Sequence, residues 1–141
     1  MNKVLFSLDT DALTHFQRGH PLVCARCASQ PAGSVGIAII SVEEQFLGWY
    51  TRARKAKDNK DLAHAYYRFA EFATFVSRLS ILPFSEAAME RYEYLLSLRL
   101  QVAKPDLRIA AIALEADATL VTRNYRDFQR IPNLKLADWT V

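Results

Sequence analysis

The acidic residues of this chain stand where short apolar segments end, so a fold can bring their carboxylates together. Asp9 and Asp11 directly follow the apolar run 4–8, and Glu44 follows a second apolar run, 35–40. Asp106 stands after Pro105, near the start of a predicted helix. Clustered carboxylates repel one another, and a divalent cation relieves that repulsion. Oxygen ligands suit Mg²⁺ or Mn²⁺ better than zinc. The pattern therefore predicts hydrolysis of a phosphodiester by a metal-activated water.

The elements that position these acids are predicted to alternate between strand and helix. Apolar segments predict strands at residues 4–8, 35–40, 80–84, 119–122 and 134–136. Helical patterns cover residues 10–18, 22–29, 41–55, 62–78, 85–100, 107–116 and 124–128. This alternation predicts one α/β domain over residues 1–141, with a central parallel sheet of about four or five strands and helices on both faces.

Ligands of such sheets bind outside the carboxyl ends of the strands. Six polar side chains are predicted to gather at that edge: Asp9, Asp11, Glu44, Asp106, Asn124 and Asp127. Asp9 is the strongest candidate, because it closes a buried first strand.

Each acid also has a purely structural interpretation. Ser41 and Glu44 have the spacing of a capping box, which would place Glu44 in the first turn of its own helix. Asp106 suits the start of a helix, and Asp9 or Asp11 suits the cap of the first helix. The structural interpretation is favoured for Glu44 and Asp127 taken singly. The joint pattern of acids favours function.

Composition is that of an ordinary globular domain. The 141 residues are 51% hydrophobic and 23% charged, with a net charge of +3 that permits a polyanionic partner without arguing for one. The longest apolar runs are too short to cross a bilayer, and Asp9 interrupts the N-terminal run before it could act as a signal peptide. Two cysteines without a secretory signal favour a reducing cytoplasm. Cys24 and Cys27 are interpreted as ordinary helix-face thiols, because a zinc site would need two more ligands.

The ordered motifs resemble the PIN-domain ribonucleases, particularly the VapC-type toxins. Similarity extends over essentially the whole chain, and each motif is weak alone while the ordered set is fairly specific. The matching stretches are Leu8-Asp9-Thr10-Asp11, then 41–48 with Glu44 and Gly48, then 105–111 beginning Pro105-Asp106, then 118–128, and finally 131–134 with Asp138-Trp139.

The resemblance implies roles for the acids and for nearby hydroxyls. Asp9, Glu44 and Asp106 would be the core metal-site acids, and Glu44 is preferred over Glu43 because Gly48 follows it by four residues. Asn124 stands where many relatives carry Asp, and Asp127 is the alternative fourth site residue. Thr10 and Thr122 would support the metal or its waters. Asp11 stands where Asn is common and would tune metal affinity.

The resemblance also implies a Mg²⁺ cofactor, with Mn²⁺ as an alternative, and RNA as the substrate. It further implies a homodimer and a cognate antitoxin that inhibits the enzyme. The predicted RNA contacts are Lys104, in a loop before Pro105, and three arginines that flank the acids in sequence, Arg108, Arg123 and Arg126. The basic stretch 52–60 is interpreted as a solvated helix end, with RNA backbone contact as the alternative. The aromatic residues of the helix 62–78 are predicted to form core or a dimer face.

Two other functions remain open at this point. An aspartyl-phosphate-type phosphatase would use Asp9 as nucleophile and Asp11 as acid and base. Against it, Leu13 stands where that family expects Thr or Val, and the segment 121–124 lacks its paired acidic motif. A non-catalytic PIN-like module that binds RNA or protein is the other alternative, and the joint presence of Asp9, Glu44 and Asp106 speaks against it.

Overall fold

Short buried strands alternate with longer helices along residues 3–141, the part of the chain that the computed structural model describes. In chain order the elements are β1 (Phe6–Leu8), α1 (Thr10–Gln17), α2 (Pro21–Ala28), β2 (Val35–Ala38), α3 (Ile39–Arg54), α4 (Asn59–Val76), β3 (Ser80–Leu82), α5 (Glu86–Ser97), α6 (Lys104–Glu115), β4 (Thr119–Val121), α7 (Tyr125–Phe128) and β5 (Leu136–Ala137). The predicted α/β class is confirmed.

The five strands form one parallel sheet in the order β3-β2-β1-β4-β5. The chain builds outward from β1 to β3 and then returns to the other side of β1, so strand order reverses between β1 and β4. Leu8 pairs with Val121 in register. The residues that follow them, Asp9 and Thr122, therefore emerge side by side at the reversal, where open α/β sheets bind their ligands.

Helices cover both faces of this sheet, as predicted. Neighbouring residues of a strand point to opposite faces. Leu120 packs into a cluster with residues of α5 and α6, whereas Val121 packs with residues of α1 and α2. On β2, Ile37 contacts a third cluster that includes Phe72 of α4. The sheet is thus buried on both sides, which explains why its strands read as continuous apolar runs.

The predicted second strand, 35–40, is too long at its C-terminal end. Helix α3 begins at Ile39, with Ala38 as its N-cap and no capping side chain. A short apolar run cannot distinguish a buried strand from the first turn of a buried helix. The correction moves Ser41 inside the helix and Glu44 into its second turn, so the predicted capping box is wrong.

Helix α6 also begins earlier than predicted. Lys104 is its first residue rather than part of a loop, and Pro105 occupies the first turn, where proline is well tolerated. Asp106 lies in the first turn, as expected. The predicted cap of α5 is confirmed, since the hydroxyl of Ser85 accepts a hydrogen bond from the backbone N–H of Ala88 at 3.2 Å.

The aromatic residues of α4 divide between core and surface. Phe72 is fully buried, while Tyr66 and Tyr67 are exposed. Within residues 3–141, no helix combines the length and apolar character that crossing a membrane would require.

Gly36 is the position where the sheet tolerates least change. A Cβ there would lie 2.6 Å from the carbonyl oxygen of Ser80 and 3.1 Å from Val4 Cγ1. We expect Gly36→Ala to lower the free energy of unfolding by about 1–3 kcal/mol, because β2 and β3 must separate. Gly48→Ala is the matched control, since a Cβ at Gly48 meets nothing within 4 Å. Gly48→Ala should raise the free energy of unfolding by about 0.5–1 kcal/mol, because alanine favours a helix more than glycine does. Urea unfolding measures both, and equal stability of the two variants would contradict the close approach.

Candidate metal and catalytic site

Asp9 lies at the centre of the site and is held by the backbone around it. Its side chain is 6% exposed and caps α1, with Oδ1 accepting a hydrogen bond from the N–H of Ala12 at 2.7 Å. Its backbone N–H donates to the carbonyl of Val121 at 3.0 Å, and its carbonyl accepts from Leu13 at 2.9 Å. The capping interpretation of Asp9 is thus correct, and the cap fixes the carboxylate at the sheet edge.

Glu44 reaches the same edge from α3. The hydroxyl of Thr10, the residue after Asp9, lies 3.2 Å from Glu44 Oε2 and 3.1 Å from the hydroxyl of Ser41. The other carboxylate oxygen, Oε1, is buried and has no hydrogen-bond partner among the described residues. Glu43, by contrast, is exposed. Of these two glutamates, Glu44 is the one that contacts Thr10, the residue after Asp9.

Asp106, Asn124 and Asp127 are the three remaining polar candidates, and they lie at the starts of α6 and α7. Asn124 caps α7: its Oδ1 accepts from the N–H of Asp127 at 3.3 Å, and its amide donates to Asp127 Oδ2 at 3.1 Å. Its own N–H donates to the hydroxyl of buried Thr122 at 2.9 Å. Asp106 is half-buried on α6. Asn124 and Asp127 are thus tied to one another.

Burial, and to a lesser extent the charges of neighbouring acids, raises the pKa values of three carboxyls at the site. Burial raises the pKa of Asp9 from 3.8 to about 6, hydrogen bonds from Thr122 and Ala12 oppose the shift, and the charges of Asp11 and Asp106 add to it. Burial is also the largest cause of the raised pKa of Glu44, and the charge of Asp106 contributes. The pKa of Asp106 is raised by burial and then by Asp127 and Asp11. The acids therefore share one uncompensated negative field.

Comparison with known proteins places the chain in a family. No family model matches the chain. It is 30% identical over 140 residues to Ribonuclease VapC2 of Rickettsia felis, an alignment that covers 96% of this chain and 98% of that protein. The chain belongs to the VapC ribonuclease family. Ribonuclease VapC1 of Haemophilus influenzae (strain R2866) is 27% identical over 97% of this chain and 99% of its own length.

Solved structures agree with the VapC assignment. The crystal structure of VapBC2 from Rickettsia felis, bound to a DNA fragment from its promoter, contains a chain with a TM-score of 0.72 and 28% identity. The match covers 96% of this chain and 99% of that one. The crystal structure of DNA-bound VapBC from Salmonella typhimurium contains a chain with a TM-score of 0.77 and 25% identity. That match covers 96% of this chain and 98% of the other. The resemblance read from the sequence motifs is confirmed.

One residue of the site was missed at the sequence level. Ser41 is fully buried and lies beside Thr10, so it joins the hydroxyls that surround Glu44. The sequence did contain a signal, a serine three residues before the glutamate, but that spacing suggested a helix cap. Asp11 is exposed, and its charge contributes to the raised pKa of Asp9.

The predicted RNA contacts have different surroundings. Lys104, Arg123 and Arg126 are exposed at or near the starts of α6 and α7. Arg108 is half-buried, and its guanidinium lies 5.1 Å from the ring centroid of Tyr92 on α5. Arg108 therefore has a packing role that the other three lack.

The donor set fits a hard divalent cation in its chemistry. It consists of carboxylate and amide oxygens, with hydroxyls behind them, and it contains the orphaned Oε1 of Glu44. Over residues 3–141, however, no three acidic, histidine or cysteine side chains are already arranged to hold a metal ion.

The raised pKa of Asp9 predicts how stability depends on pH without metal. The folded protein binds a proton on the Asp9 carboxyl more tightly than the unfolded chain does. Protonation of Asp9 therefore stabilises the fold fully below pH 3.8, and this stabilisation is lost as pH rises through about 6. The free energy of unfolding in EDTA should fall by about 2–3 kcal/mol across this window.

Asp9→Asn keeps a capping residue and should flatten this dependence. The control is Asp58→Asn, an exposed cap on α4 away from the acids, which should keep the wild-type slope. Urea unfolding at a series of pH values measures the effect. A wild-type slope in Asp9→Asn would contradict the assignment.

Proposed function

We propose that this chain is the toxin ribonuclease of a toxin–antitoxin pair and that it hydrolyses RNA phosphodiester bonds. The observation that supports the proposal is that Asp9 ends the strand beside which strand order reverses, and that the charge of Asp106 acts on both Asp9 and Glu44. Each of these carboxyls has a raised pKa. Membership of the VapC ribonuclease family supports the reaction class.

Asp9, Glu44 and Asp106 are the proposed ligands of Mg²⁺, with Mn²⁺ as the alternative. A bound cation of this kind would supply a water of lowered pKa and would neutralise charge on the phosphoryl group. The cap to Ala12 fixes the direction of the Asp9 carboxylate, and Thr10 orients that of Glu44. Orientation by such neighbouring hydrogen bonds commonly sets metal affinity.

The fourth position of the site is proposed to be shared between Asn124 and Asp127. The amide of Asn124 holds one carboxylate oxygen of Asp127 at 3.1 Å, and the charge of Asp127 raises the pKa of Asp106. Thr122 supports this pair by accepting the N–H of Asn124. In this arrangement Asn124 positions the carboxylate of Asp127, and Asp127 supplies negative charge to the site.

Positive side chains around the acidic edge are proposed to bind the RNA backbone. Lys104, Arg123 and Arg126 are exposed near the helix starts that carry Asp106 and Asp127. Arg108 has its guanidinium against Tyr92, so we propose for it a weaker contribution. Contacts of this kind attract RNA regardless of sequence and weaken with salt.

A cognate antitoxin is the proposed protein partner. The structural neighbours from Rickettsia felis and Salmonella typhimurium were solved as VapBC assemblies, which supports the same arrangement for this chain. A homodimer is proposed on the family resemblance, and the exposed Tyr66 and Tyr67 would suit an interface. The cytoplasm is the proposed location, in keeping with the two free thiols of Cys24 and Cys27.

The phosphatase alternative finds little support in the geometry. A nucleophilic Asp9 would need an accessible carboxylate, but this one is 6% exposed and accepts the cap hydrogen bond of α1. Leu13, which stands where the phosphatases expect Thr or Val, is fully buried in the core. We therefore keep ribonuclease activity as the single proposed reaction.

The proposal predicts cleavage of RNA by the purified full-length protein in Mg²⁺ or Mn²⁺, and no cleavage in EDTA. Asp9→Asn, Glu44→Gln and Asp106→Asn should each lower the rate by more than about 100-fold, because loss of even an indirect ligand neighbour commonly costs 10- to 100-fold. Glu43→Gln is the matched control for Glu44→Gln, since Glu43 is adjacent in sequence but exposed.

Rates are measured on several RNAs, since the natural substrate is not defined by these residues. Circular dichroism checks that each variant is folded. Near-wild-type activity in Asp9→Asn or Asp106→Asn would remove the metal-site assignment. RNA binding without cleavage, under all metals and RNAs tried, would favour the non-catalytic alternative.

A further inference from the structure

Two adjoining hollows lie near Glu44, an inner one on the surface of α3 and an outer one bordered by α1, α3 and α4. The inner hollow, of about 370 Å³, is lined by Glu44, Gln45, Gly48, Trp49 and Arg52. The outer hollow, of about 470 Å³, is bordered mainly by Gln17, Arg18, Gln45, Trp49, Arg68 and Glu71. Gln45 and Trp49 line both hollows, so the two adjoin one another, and we call them together the Trp49 groove.

Trp49 presents an aromatic surface inside this groove. Its side chain is half-buried, packed at the edge of the cluster around Phe72. The guanidinium of Arg68 lies 5.7 Å from the indole centroid, and Arg68 lines only the outer hollow. Part of the indole therefore borders the inner hollow together with Glu44, on the side that Arg68 does not line.

Gly48 keeps the inner hollow wide. It lies within α3, where glycine costs about 0.5–1 kcal/mol relative to alanine. No packing reason for a glycine is visible, because a Cβ at this position would meet nothing within 4 Å. The missing side chain leaves room beside both Glu44 and Trp49.

The charges of the groove suit a phosphate chain at its outer end. Arg52 is engaged by Asp61 through contacts of 2.6 and 3.2 Å, and Arg68 pairs with Glu71 at 3.4 Å. Arg18 is exposed and has no ion-pair partner among the described residues. One unpaired positive charge therefore lies at the end of the groove that is distant from the acids.

We propose that the Trp49 groove binds a single-stranded stretch of the RNA substrate adjacent to the bond that is cut. A base of that strand stacks against the part of the Trp49 indole that borders the inner hollow, and a phosphate further along the strand binds Arg18. This inference rests on the proposed ribonuclease function and assigns its substrate path. Stacking tolerates any base but requires an unstacked one, so unpaired RNA is bound in preference to duplex.

Cleavage kinetics test the assignment of Trp49. Trp49→Ala should raise KM between about 5-fold and more than 100-fold, the range expected for the loss of one stacked base, and should change kcat much less. Trp49→Phe keeps an aromatic ring and should restore most of the loss. Tyr94→Ala is the control, because Tyr94 is an exposed aromatic residue on α5, outside the groove.

The arginine is tested by the dependence of KM on salt. Arg18→Ala should raise KM at low salt and reduce the salt slope by about one phosphate contact. Arg26→Ala, an exposed arginine on α2, should leave the slope unchanged.

Filling the groove provides a test that does not remove any contact of the folded chain. Gly48→Leu introduces a better helix former where the Cβ has free space, so its melting temperature should equal or exceed that of the wild type. Its KM should nevertheless rise at least as much as that of Trp49→Ala.

Fluorescence separates failure of this inference from failure of the proposed function. Trp139 is buried, so a saturable change on adding a mixed-sequence single-stranded RNA in EDTA reports Trp49, and Trp49→Phe should abolish it. If the wild type cuts no RNA, the proposed function fails, and this titration alone decides the groove. Normal KM in Trp49→Ala and Gly48→Leu, or effects of both only on antitoxin affinity, would overturn the inference.

Discussion

The structure depends on a buried carboxylate that the fold cannot neutralise by itself. Asp9 is almost entirely removed from water, and the groups that act on it most are the N–H of Ala12, the hydroxyl of Thr122 and two further acids. Burial of a charge is costly unless it is paired. The cap stabilises the ionised form, and the neighbouring acids destabilise it. Such a balance is typical of a site built for a ligand of opposite charge.

The sheet order determines which acids share this environment. Because β1 is central and β4 lies beside it, Asp9 and Thr122 emerge together, and α7 begins three residues after Thr122. Helix α3 starts directly at the end of β2, which turns Glu44 toward Thr10. Asp106 arrives on α6, which packs against both α5 and α3. The three proposed ligands therefore come from three separate crossovers between strands.

Much of this arrangement could be predicted from sequence because its determinants are local. Alternating apolar runs and helical patterns indicated the parallel sheet, and the sheet rule then indicated a common edge for Asp9, Glu44 and Asp106. The boundary at Ile39 could not be predicted, since two consecutive isoleucines suit a strand and a buried helix equally. Ser41 was misassigned for the same reason. The hydrogen bonds that join Asn124 to Asp127, and the groove beside Glu44, depend on tertiary packing that spacing does not encode.

The central claim is that a cation compensates the negative charge of these acids. The most direct test measures Mg²⁺ binding together with the release of protons. Titration calorimetry near pH 6, in buffers of different ionisation enthalpy, counts the protons released. A metal that binds ionised carboxylates must displace the proton held by Asp9, so about half a proton or more should leave per cation, and almost none near pH 8. Asp9→Asn should abolish the release and weaken binding. Binding without proton release near pH 6, or equally tight binding by Asp9→Asn, would contradict the account.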